Sequence, residues 1–69
     1  MNHEQHEQLT DWGFVKNNQF PNLNIYELYQ VGLKVVWQMG RQTGYYIMDN
    51  EHYHINDWQT LEDLMEQIS

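Results

Sequence analysis

The chain has no cysteine, a single proline, and only three basic side chains in 69 residues. Without cysteine no disulfide can staple the fold, and neither a thiolate nucleophile nor a thiolate metal ligand exists. Three Lys and Arg against ten Asp and Glu leave a formal charge of −7. That balance argues against direct binding of nucleic acid, because reading a phosphate backbone takes several clustered cations. No apolar run approaches the roughly 18 residues that a bilayer-spanning helix requires. The opening segment, residues 1–8, is polar and acidic where a secretion signal would be basic and then apolar. The expectation is a soluble cytoplasmic protein with no membrane partner. Gly40 and Gly44 lack the following lysine of a phosphate-cradling loop, and no cofactor is expected.

The charges that are present are unevenly placed. Lys16, Lys34 and Arg41 all lie in the first 41 positions, whereas Asp49, Glu51, Asp57, Glu62, Asp63 and Glu66 follow with no cation among them. Aromatic residues make up 14% of the chain, including three Trp and five Tyr. Each can bury a large area, so a few suffice for a core, and they also suit interfaces. Sixty-nine residues make one domain whose apolar burial barely offsets the entropy of ordering it. Its margin of stability therefore depends on close packing or on association.

Residues 1–8 have no apolar side chain after Met1 and read as a flexible end. A short helix from about Glu4 to Trp12 is the competing reading, with Leu9 and Trp12 inward and Gly13 as its stop. Lys16 to Gln19 and Pro21-Asn22 read as irregular connection, with Phe14, Val15 and Phe20 folding back over the core edge. Ile25 to Val31 is rich in β-branched and aromatic residues and is assigned to a strand. Helical spacing of Ile25, Leu28 and Tyr29 competes there.

Leu33, Val35, Trp37 and Met39 alternate with Lys34, Val36 and Gln38, the period of a half-buried strand. Gly40 to Gly44 forms the hairpin loop, glycine tolerating the positive φ of tight loops. Tyr45 to Met48 returns antiparallel, Asp49 to His52 makes a second turn, and Tyr53 to Ile55 a further short strand. Asn56 or Asp57 caps a last helix with Trp58, Leu61, Met65 and Ile68 on one stripe and Glu62, Asp63 and Glu66 facing away. The fold class is α+β: a small antiparallel sheet of three to four strands with the C-terminal helix on one face.

Four residues resemble a reactive cluster. His52 and His54 are two apart, so in a strand their rings share a side, and Asp49 and Glu51 could complete a zinc set. A solvated strand face beside Tyr46 accounts for the same residues. His3 and His6 share a helical face but sit in the polar end segment. Thr10, Thr43, Thr60 and Ser69 lack a base and an orienting partner. The pairs Asp49 with Glu51 and Glu62 with Asp63 need burial to separate their pKa values, which so small a domain rarely provides. An enzyme is not expected.

Two readings of function remain. One helix covers one sheet face, so apolar residues on the other, such as Val36, Tyr45 and Ile47 or Tyr46 and Met48, are covered by the N-terminal segment or offered to a partner. This is a protein-interaction module or homodimer. The alternative is an acidic competitor, in which Glu62, Asp63 and Glu66 stand in for phosphates in the basic groove of a nucleic-acid-binding protein.

Overall fold

The computed structural model describes residues 2–20, 22–38, 40–41 and 43–68. Pro21 and Gln42, placed in connections from the sequence, Met39, placed at a strand end, and Ser69 lie outside the described residues. The elements are α1 (His3–Asp11), β1 (Val15–Asn17), β2 (Leu23–Leu28), β3 (Leu33–Gln38), β4 (Gly44–Met48), β5 (Glu51–Ile55) and α2 (Trp58–Ile68). Among the described residues the strands form one antiparallel sheet of five, in the order β1-β2-β3-β4-β5. The α+β class and the C-terminal helix are as expected; the sheet is larger by at least one strand.

Helix α1 takes in most of the segment assigned to a flexible end. The reason is a capping box. The Gln5 amide donates to Asn2 Oδ1 at 2.9 Å, and the Asn2 amide donates to Gln5 Oε1 at 3.1 Å. Two backbone donors that would otherwise lack partners are thus satisfied without any apolar residue. The helix is anchored at its other end by the fully buried Leu9. It stops where expected, at Gly13, whose φ of +100° suits only glycine and whose missing side chain leaves room for Leu28.

Val15–Asn17 is an edge strand and not a loop, because Lys16 and Asn17 pair with Tyr26 and Ile25 of β2. The 25–31 segment is a strand, as favoured, but shifted. It runs from Leu23 to Leu28, and Tyr29 to Gly32 form the turn into β3, with Gly32 at φ +66°. Tyr29 and Val31, assigned to the strand, are exposed turn residues. The β4–β5 turn is tighter than expected. Asp49 and Asn50 both have positive φ, 54° and 67°, which is the two-residue hairpin geometry that matches sheet twist. Glu51 and His52 are therefore strand residues. Asp57 caps α2, accepting from the Thr60 amide at 3.1 Å.

Cross-strand register assigns the two faces. Tyr26, Val35 and Tyr46 lie in one row, with Trp37, Gly44 and Ile55 in the next. This face carries the core, closed by Leu9 and Phe14 from the N-terminal side and by Leu61 and Met65 from α2. The three tryptophans join the layers: Trp12 stacks on Trp58 at 5.9 Å, and Trp58 meets Trp37 edge-on at 6.1 Å. Gly44 serves this core. A β-carbon there would lie 2.9 Å from the Trp37 indole and press on the Val36 carbonyl. Its role is close approach and not the positive φ expected of a loop glycine.

Candidate functional site

Both helices lie on the same side of the sheet. His6 of α1 hydrogen-bonds the Tyr26 hydroxyl, and Trp58 of α2 touches Trp37, both on the core face. The N-terminal segment thus does not cover the opposite face, as one sequence reading had it doing. Strand alternation places Val15, Leu23, Ile25, Val36, Tyr45 and Ile47 on that face together with Asn17, Glu27, Lys34, Gln38, His52 and His54. Among the described residues no element packs over it.

At its centre Ile25, Val36 and Tyr45 lie side by side on adjacent strands. Ile25 and Val36 are only 6% and 5% exposed, while Tyr45 is 37% and Val15 54% exposed; around Val36 stand Leu23, Gln38, Tyr45 and His54 with Arg41 and Thr43 of the β3–β4 loop. The result is an apolar strip with an accessible margin. Glu27 and Lys34 on this face pair with each other: Lys34 Nζ lies 3.4 Å from Glu27 Oε1. Tyr29 donates to the other Glu27 oxygen at 2.5 Å. The Tyr29 hydrogen bond first, and Lys34 second, hold the Glu27 carboxyl below its ordinary range; the same bond raises Tyr29.

The residues singled out from sequence are distributed otherwise. Tyr46 is on the helix-covered face, half-buried and stacked on Tyr53 at 4.9 Å. It does not lie beside the histidines, and the accessible tyrosine is Tyr45. His52 and His54 do share the open face, where His52 contacts Tyr45. Glu51 does not join them, because alternation turns it to the helix side, where it accepts from the Tyr53 hydroxyl at 2.5 Å and raises that group's pKa. Asp49 sits in the turn. Among the described residues no three His, Cys, Asp or Glu side chains are grouped to hold a metal ion, so the zinc set is not assembled.

Glu62, Asp63 and Glu66 are exposed on α2, with Asp63 accepting from Gln59 at 2.9 Å. They separate further on inspection. Glu62 and Glu66 face a groove between the helices that they share with Gln8, Asp11, Trp12 and Met65. Sequence spacing alone did not supply Asp11, because the groove exists only through the packing of α1 on α2. The six helix carboxylates, Glu4, Glu7 and Asp11 with Glu62, Asp63 and Glu66, have no Lys or Arg on either helix.

The chain therefore has two unlike sides, an acidic helical layer and a sheet face with an apolar centre, a polar surround and a single carboxylate, Glu27. Among the described residues no helix is long and apolar enough to cross a membrane. Compared with protein-family models, curated proteins and solved structures, the chain matches none.

Proposed function

We propose that the protein is a non-enzymatic interaction module that binds another protein through its open sheet face. One observation carries this reading: both helices pack on one side, and among the described residues no helix or strand layer lies above Leu23, Ile25, Val36, Tyr45 and Ile47. A sheet face of that composition is ordinarily covered, in the same chain or by a partner. Its one carboxylate, Glu27, is paired with Lys34, so contact over that pair removes little unbalanced charge from water.

A second reading, the acidic competitor, draws on a separate observation. Asp11 of α1 and Glu62 and Glu66 of α2 line one groove around Trp12 and Met65. Carboxylates held on two rigid helices could meet a basic protein that normally holds phosphates.

Capture from a native cell lysate separates the two. The baits are the natural chain, the face variant Tyr45→Lys/Ile47→Lys, and the helix variant Glu62→Lys/Asp63→Lys/Glu66→Lys. The sheet-face reading predicts a protein that stays bound through 0.5 M salt, is kept by the helix variant and is lost by the face variant. Exchange protection of the bait should then map to β2, β3 and β4. Release by salt and by the helix variant alone would favour the groove.

A further inference from the structure

We infer that the open sheet face pairs with a second copy of this chain, giving a face-to-face dimer with its acidic helices outermost. The inference rests on the sheet-face reading above and names the partner. Its support is the distribution of charge. Each copy carries −7, and two such chains repel unless their carboxylates are kept apart. Six of the ten lie on α1 and α2, on the far side of the sheet from the open face.

Stacked sheets sit about 10 Å apart, and each helix layer adds roughly another 10 Å. Opposing helical layers in this dimer would thus be on the order of 30 Å apart, several Debye lengths at physiological salt. The face itself carries one carboxylate and one ammonium, Glu27 and Lys34. A two-fold axis can set each against its opposite, which is the complementarity an isologous contact needs.

The competing self-contact is weaker on the same grounds. Of the two sheet edges among the described residues, β1 offers only three residues, and pairing two copies along β5 would extend the sheet. But α2 packs against β5, so edge pairing would bring two helices bearing Glu62, Asp63 and Glu66 side by side. The available area also fits a dimer of modest affinity. Five strands about 4.8 Å apart and about 17 Å long offer roughly 400 Å² per copy before corrugation. Two copies then bury roughly 800 Å² before corrugation, the size of a weak, concentration-dependent contact.

Sedimentation equilibrium of the full chain from 1 µM to 1 mM tests this. The expected result is a reversible monomer–dimer equilibrium that tightens slightly between 0.05 and 0.5 M salt, as screening reduces the residual repulsion. Tyr45→Lys and Ile47→Lys should each weaken it about tenfold or more, with circular dichroism showing an unchanged fold. Val15→Lys, at the exposed margin, serves as the readout if either variant unfolds. A monomer throughout the range overturns the dimer, as does a dimer indifferent to all three substitutions or one that salt dissociates. If the chain is monomeric yet face-dependent capture succeeds, the partner is a different protein and the sheet-face reading stands without the dimer.

Discussion

At the scale of single residues, Gly44 is the most constrained position. Alanine there would bring its β-carbon within 2.9 Å of Trp37 Cε3, and the carbonyl of Val36 cannot yield without disturbing the β3–β4 pairing. The Gly44→Ala variant should lose roughly 1–3 kcal/mol, as overpacked cores do, read as a lower urea midpoint at unchanged slope. An unchanged midpoint would mean that the indole can move. His6 is the second such residue. Burial first, then Lys16, the N-terminus and His3, lower its pKa below 6.5. The unfolded chain then binds a proton before the folded one does, so this stability is fully present above pH 6.5 and is lost as pH falls through the folded pKa. The melting temperature should decline on acidification from pH 6.5, and His6→Gln should flatten that part of the curve. An equally steep decline in the variant would assign the effect to other groups.

At the scale of elements, much of the molecule was legible. The β3–β4 hairpin, a C-terminal helix capped at Asn56 or Asp57 and the inward stripe with Leu61 and Met65 follow from period and capping chemistry, and the folded chain selects Asp57 as the cap. What was misread had identifiable causes. α1 is held by the reciprocal Asn2–Gln5 bonds, and its mean polarity hides it from any test based on apolar content. β1 forms because β2 offers it an edge, a tertiary cause with no period-2 signature in three residues. The Asp49-Asn50 turn needed only two residues, so Glu51 moved into a strand and away from the histidines. Replacing Asn2 with Ala should cost about 1 kcal/mol, the usual loss for an N-cap, with faster amide exchange confined to the first turn of α1. Protection unchanged there would show that Leu9 packing alone holds the helix.

At the scale of the whole molecule, the two sides have different physics. The acidic block seen in the sequence splits between a turn, a strand, a cap and the α2 surface, and only the folded chain joins Glu62 and Glu66 to Asp11. The open face was half legible: Val36, Tyr45 and Ile47 alternate against the core pattern, but the side on which α1 packs decides whether they are covered. Reversing Glu62, Asp63 and Glu66 to Lys lowers the magnitude of the helix-layer charge and, at position 66, places a cation in the last turn of α2. The triple variant should fold with stability within about 1 kcal/mol of the natural chain and self-associate at least as tightly. Weaker association would place the contact on the helices.

The most direct test of the sheet-face account uses the absence of cysteine. Gln38→Cys puts a single thiol on the exposed open face, and a nitroxide attached there broadens signals of nearby methyl groups. In a mixture of spin-labelled, isotopically silent chains with methyl-labelled natural chains, the account predicts broadening that is strongest at Ile25, Val36 and Ile47, weaker at Leu61 and Met65 behind the sheet, and that fades on dilution. Broadening centred on α2, or none at 1 mM, would contradict it.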